Sequence, residues 1–202
     1  MRTIGALIFP GFELLDLFGP LEMFGLLDKH YKIKLIAENI GTVASNQGPN
    51  VVADLPFQTP MQFDILFVPG GAGTRSEIEN RSTLSWLRET AHNAEFVLSV
   101  CTGSALLARA GLLDDMHATT NKAAFNWVQS QGPRVKWKRQ ARWVEDGNTI
   151  TSSGVSAGMD MSLAAIARMH DTDTAVKVAN WAEYNWQQDA DYDQFAALNG
   201  LV

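Results

Sequence analysis

This chain of 202 residues has one cysteine, Cys101, and four histidines. A single thiol excludes an intrachain disulfide framework and suits a reducing compartment, so the expected location is the cytoplasm. His30, His92 and His170 fall near the ends of predicted helices, and His117 lies in a short predicted strand. None has an obvious triad position relative to Cys101, which leaves a Cys–His hydrolase without support. No group of His, Cys, Asp and Glu has metal-ligand spacing, so no metal is expected, and Gly70-Gly71-Ala72-Gly73 lacks the G-x-G-x-x-G spacing of a dinucleotide fingerprint, so no organic cofactor is expected either. No apolar run is long enough to span a bilayer, and Met1-Arg2-Thr3-Ile4-Gly5 runs straight into a strand pattern, unlike a signal peptide. No membrane association is therefore expected. Lys and Arg number 16 against 22 Asp and Glu, giving a net charge of −6. With no basic block, nucleic acid is not an expected partner.

What is present is ordinary for a globular protein: 46% hydrophobic and 19% charged residues. The length suits one domain, expected to span 1–202. Largely apolar runs with strand character occur at Thr3–Phe9, Phe63–Val68 and Glu95–Val100, and Tyr31–Ala37 alternates as a strand. Thr42–Pro56 reads as two short strand pieces about the turn Asn46-Gln47-Gly48-Pro49. Helical spacing appears at Leu14–Asp28, with Gly19-Pro20 expected near the first turn, and at Ser82–Asn93, Ala105–Ala110, Val155–His170 and Thr174–Trp186. The tail Gln187–Val202 reads as polar and irregular. Alternating strands and helices predict an α/β protein with a largely parallel sheet covered on both faces. In such sheets functional groups gather beyond the carboxyl ends of the strands.

Three features sit at such ends. Cys101 follows the strand Glu95–Val100 and precedes a helix, within Ser99-Val100-Cys101-Thr102-Gly103. A lone buried cysteine is more often a small hydrophobe than a nucleophile. A strand–Cys–helix junction with small flanking residues instead predicts a nucleophile elbow, with a helix N-terminus that favours thiolate. Pro69-Gly70-Gly71-Ala72-Gly73 follows Phe63–Val68 and reads either as a plain turn or as a loop aiming backbone N–H groups at the crevice. The Gly71 and Thr102 N–H groups are the expected oxyanion-type pair. Asp16 lies among leucines after the first strand. It is either a helix N-terminal charge or a partly buried carboxyl that moves protons for Cys101. Glu13 competes for that role from nearer the exposed turn. Trp181, Tyr184 and Trp186 are expected in a core, a pocket or a dimer interface.

These landmarks resemble the ThiJ/PfpI superfamily, within the class I glutamine amidotransferase-like fold. The resemblance runs through Phe9-Pro10-Gly11, Leu15-Asp16-Leu17-Phe18-Gly19-Pro20, Val68-Pro69-Gly70-Gly71, Ser99-Val100-Cys101-Thr102-Gly103-Ser104, Ala118-Thr119-Thr120 and Ser153-Gly154-Val155-Ser156-Ala157-Gly158-Met159-Asp160. It implies a flavodoxin-like three-layer sandwich with a mostly parallel central sheet. Asp16 with Cys101-Thr102-Gly103-Ser104 looks like the isonitrile hydratase branch. Family peptidases place His directly after the cysteine, where this chain has Thr102. The glyoxalase and deglycase-like members usually have Glu where this chain has Asp16. Related transcription regulators add a C-terminal DNA-binding domain, and this chain is expected to end before one. The pattern departs at Asn121, where many relatives of the hydratase have His. The implied activity is addition of water to an isonitrile, giving an N-substituted formamide. Cys101 is then the nucleophile, Asp16 the acid/base, and a small molecule the substrate of a homodimer. A cysteine-based redox sensor or small-molecule-binding protein, and a glyoxalase-like enzyme acting on 2-oxoaldehydes, are the competing readings.

Overall fold

The computed structural model describes residues 1–202. The chain opens with β1 (Arg2–Leu7), α1 (Leu14–Gly25) and β2 (Tyr31–Ala37), then the hairpin β3 (Thr42–Ala44) and β4 (Asn50–Val52). Next come β5 (Leu55–Pro56), β6 (Ile65–Val68), α2 (Thr74–Glu77), α3 (Arg81–Asn93), β7 (Phe96–Ser99) and α4 (Gly103–Arg109). The second half holds β8 (His117–Ala118), α5 (Phe125–Gln131), β9 (Lys136–Trp137), β10 (Trp143–Asp146) and β11 (Thr149–Ser152). It closes with α6 (Ala157–Met169), α7 (Thr172–Trp181) and α8 (Phe195–Leu198).

Seven strands form one sheet in the order β10-β11-β7-β6-β1-β2-β5. All neighbours are parallel except the edge pair β10–β11. Every residue of β6 and β7 is buried, as expected of strands covered on both faces. Helices α1, α6 and α7 pack together, while α4 packs against α2, α3 and α5. These two groups sandwich the sheet, which is the flavodoxin-like three-layer α/β architecture.

The topology decides where a site can form. From β1 the chain steps outward to β2 and β5, then returns to β6 on the other side of β1. The order therefore reverses between β1 and β6, where the loops after the two strands diverge and open a crevice. Asp16 follows β1, Pro69-Gly70-Gly71 follows β6, Cys101 follows β7 and Ser153-Gly154 follows β11.

Three expectations need correction. Pro20 lies in the second turn of α1, not the first, and lacks the N–H that would bond the Asp16 carbonyl. Helix α7 stops at Trp181, because Glu183 adopts φ 48 and turns the chain away. The tail is not merely irregular. It forms α8, buries Ala196 and Leu201 against Phe125, and is pinned to the body by charge. Arg142, nearly buried, bonds Asp160 through Nε at 2.7 Å, and its Nη1 lies 4.0 Å from Asp193. Asp160 also accepts from Tyr184 Oη at 3.1 Å and from the Gln187 N–H at 2.9 Å. Burial raises the Asp160 pKa, and the Arg142 guanidinium opposes that rise. Arg142→Ala would strand two buried carboxyls. A loss of about 3–5 kcal/mol of stability is expected in urea denaturation.

Candidate active site

Cys101 sits on a strained elbow. Its φ of 56° is in the left-handed region that a non-glycine residue seldom occupies. Hydrogen bonds from several elements hold it there. The Cys101 N–H is shared between the carbonyls of Ser152 (3.2 Å) and Ser153 (3.1 Å), and its own carbonyl accepts from Ser104 Oγ (3.0 Å) and Thr120 Oγ1 (2.9 Å). Gly103 lets the elbow close on the neighbouring strand. A Cβ there would meet the carbonyl oxygens of both Val68 and Pro69, which are backbone and cannot turn aside. Gly103→Ala is expected to cost about 1–3 kcal/mol in urea denaturation and to weaken any activity that depends on Cys101.

Asp16 is fully buried in the first turn of α1. Its Oδ2 accepts from the Gly70 N–H at 3.0 Å, tying the β1 loop to the β6 loop across the crevice. Its Oδ1 is buried without a hydrogen-bond partner of its own, and the carboxyl lies beside the Cys101 side chain. Burial pushes the Asp16 pKa up to about 7, opposed by the Cys101 side chain and the Gly70 N–H. A carboxyl that titrates near neutrality is suited to acid/base work. Glu13, its competitor, is half-buried at the start of α1 and hydrogen-bonded by the Gln47 amide at the cleft mouth.

The thiol departs from expectation. Burial pushes the Cys101 pKa up, and the Asp16 charge pushes it further. The Thr102 N–H, the Val155 N–H and the Asn121 side chain face the sulfur and pull the other way, but desolvation prevails. Burial therefore opposes the thiolate that the N-terminus of the short helix α4 would favour. The thiol proton needs an acceptor at the moment of reaction, and Asp16 is beside it.

The Gly71 N–H also departs from expectation. It donates to Thr102 Oγ1 at 3.0 Å, so it is already engaged within the protein. Thr74 Oγ1 joins the same cluster, donating to the Gly71 carbonyl at 2.7 Å. This cluster ties the glycine loop to the elbow. The donors that flank the sulfur are the N–H groups of Thr102 and Val155 together with Asn121. Val155 carries no signal of this in the sequence, because its role depends on a φ of 41°, rare for a β-branched residue. Asn121 stood out only as a departure from a family pattern.

Above Cys101 lies an open cleft of about 310 Å³, lined among others by Gly71, Thr102, Asn121 and Val155. At its mouth Arg75 stacks over the Trp127 ring at 4.5 Å. A larger cavity of about 530 Å³ at Phe57, Met61 and Trp86 shares no residue with this cleft. No histidine lines the cleft. His117 pairs with Asp146 at 3.1 Å, and His170 lies 2.8 Å from Tyr31 Oη. No three His, Cys, Asp or Glu side chains converge to form a metal site. Trp181 is 78% exposed, and the Trp186 indole bonds the Asp160 carbonyl, so neither reaches the thiol cleft.

A parallel α/β sheet with a cysteine elbow beside a buried carboxyl, at the point where strand order reverses, defines the class of this protein. The chain belongs to the DJ-1/PfpI family, whose model matches residues 2–168. It is 36% identical over 182 residues to the isonitrile hydratase of Pseudomonas putida, covering 90% of this chain and 78% of that protein. It is 28% identical to the transcriptional regulator CdhR of Pseudomonas aeruginosa over 86% of this chain, and spans about half of that regulator's length (52%). The crystal structure of a ThiJ/PfpI family protein from Pseudomonas syringae matches with a TM-score of 0.84 and 34% identity, covering 91% of this chain and 75% of the other. No helix is long and apolar enough to cross a membrane.

Proposed function

We propose that this protein hydrates an isonitrile to an N-substituted formamide, with Cys101 as nucleophile and Asp16 as acid/base. The observation that carries the reading is the buried Asp16–Cys101 pair, with the carboxyl pushed up to about 7 and the thiol also pushed up by burial. The similarity to an isonitrile hydratase supplies the substrate class.

The steps follow from where the protons sit. The Cys101 sulfur attacks the terminal carbon of R–N≡C while Asp16 takes the thiol proton. Asp16 returns that proton to the same carbon, giving the thioimidate R–N=CH–S–Cys. Asp16 then draws a proton from water as its oxygen adds to this carbon, and passes that proton to the substrate nitrogen. The C–S bond breaks as the new hydroxyl gives its proton to the sulfur, and R–NH–CHO leaves. The sum is isonitrile plus water to formamide, with no oxidant or reductant. The donors around the sulfur stabilise negative charge as the attack begins.

The test is a screen of the protein with a simple aryl isonitrile and with methylglyoxal, read by proton NMR. Formamide from the isonitrile is the expected result. Lactate from methylglyoxal without any formamide would overturn the reading in favour of a glyoxalase-like activity.

We also propose a homodimer in the cytoplasm. Leu15 and Phe18, on the outer side of α1, are 43% and 41% exposed, an apolar area that a second copy would cover. Sedimentation velocity should give twice the chain mass of 22.2 kDa, and a monomer at micromolar concentration would contradict it.

A further inference from the structure

The cleft over Cys101 continues past Asn121. A second cavity of about 240 Å³ adjoins it, and Asn121, Ala123 and Val155 line both. Its far wall comes from the C-terminal segment, through Phe195 and Asn199. Phe195 is 43% exposed, an aromatic ring facing open space rather than the core.

The segment that carries Phe195 is held firmly. The Ala190 carbonyl accepts the Arg142 N–H at 2.7 Å, and the Asp193 N–H donates to the Gln140 carbonyl at 2.8 Å. Asp193 is 2% exposed, and its Oδ1 accepts the Phe195 N–H at 3.0 Å. Burying Asp193 beside Arg142 and Asp160 is a weak source of stability but a good way to fix position. What it fixes is the start of α8, and with it the Phe195 ring.

The cavity carries little charge. The one charged residue in its lining is Lys122, and its ammonium donates to Thr119 Oγ1 at 2.8 Å and to the Ala141 carbonyl at 2.5 Å. Lys122 is 3% exposed and its donors are turned to protein groups, so it is poorly placed to recognise an ionic group. The remaining walls come from small polar and apolar residues, Ser153, Gly154, Val155 and Ser156 among them.

We propose that this second cavity holds the neutral, apolar group on the substrate nitrogen, and that Phe195 selects that group. The inference rests on the isonitrile reading for the reaction, though not for the shape of the site. An isonitrile is linear through carbon, nitrogen and the first atom of its substituent. With its terminal carbon on Cys101, the substituent is held away from the sulfur, and the cavity adjoining the cleft can receive it. The C-terminal segment then acts as a specificity wall.

The test uses Phe195→Ala and Phe195→Asp, both at an exposed position where folding should survive, checked by thermal melting. With cyclohexyl isonitrile, Phe195→Ala should raise KM about tenfold, as expected for lost apolar contact, and Phe195→Asp should raise it further. Turnover of methyl isonitrile should not change. A second readout does not need turnover: alkylation of Cys101 by iodoacetamide or its N-cyclohexyl derivative, followed by intact mass. Here sulfur bonds to the methylene carbon, iodide leaves and the thiol proton is released. The variants should slow the cyclohexyl reagent about tenfold and leave iodoacetamide unchanged. Size-dependent alkylation without any isonitrile turnover would keep the cavity's role and reject the reaction. Variants that treat both probes as the unmodified protein does, in both assays, would overturn the proposal.

Discussion

Cys101→Ala should lower formamide production by about a thousandfold or more, to the level of enzyme-free buffer. The size of the effect follows from the site's economy of parts. The cleft has one thiol and no histidine, so no second thiol or imidazole stands by. Alanine keeps a Cβ and so keeps the strain at φ 56, which means the loss reports chemistry rather than a relaxed elbow. The variant should melt within a few degrees of the unmodified protein. A collapsed melting temperature would mean that the elbow, not the sulfur, had been removed.

Asp16→Asn should show two effects of opposite sign. Turnover should fall by about a hundredfold or more, because the amide cannot take the thiol proton. Stability should rise at pH 8. The folded carboxyl, raised to about 7 from 3.8, binds its proton more tightly than the unfolded one does. Its contribution is most favourable below about pH 4 and is lost as pH climbs through 7. Above that, an ionised and buried carboxylate opposes folding by roughly 2–4 kcal/mol. Asparagine removes the charge and still offers Gly70 a carbonyl oxygen. Urea denaturation should therefore find the variant more stable at pH 8, with the gain vanishing near pH 4. The same ionisation sets a rate profile: kcat/KM of the unmodified protein should rise with pH through about 7. Because Asp16 and Cys101 are coupled, that midpoint belongs to the pair. A profile unchanged in Asp16→Asn would remove Asp16 from the mechanism.

Much of this was legible from residue patterns, for a physical reason. Ile65–Val68 is a continuous apolar run because both faces of the sheet are covered there, whereas Tyr31–Ala37 alternates, with Lys32 exposed and Lys34 half-buried. The Asn46–Pro49 turn announces the β3–β4 hairpin through its turn residues. The elbow is legible because only small residues let backbone carbonyls approach as closely as those of Val68 and Pro69 approach Gly103. Less visible were effects that depend on three-dimensional environment. The helix N-terminus suggested a thiolate, but burial outweighs it, and burial is a property of the whole fold. Gly71 looked like a free donor, yet Thr102 Oγ1 claims its N–H across 31 positions of chain. The tail looked irregular because the charges that anchor it, Arg142 and Asp160, lie far from it in sequence. Val155 reaches the site through an unusual backbone angle that no side chain advertises.

The central claim is that Cys101 bonds to the substrate carbon while Asp16 handles the proton. The most direct measurement is the intact mass of the protein, quenched in acid during turnover of an aryl isonitrile, with the modified peptide sequenced. Addition loses no atom, so the expected result is a mass gain equal to the whole isonitrile. It should sit on Cys101, appear before formamide accumulates, and be absent in Cys101→Ala. Formamide forming at an undiminished rate in Cys101→Ala, with no adduct on the unmodified protein, would contradict the account.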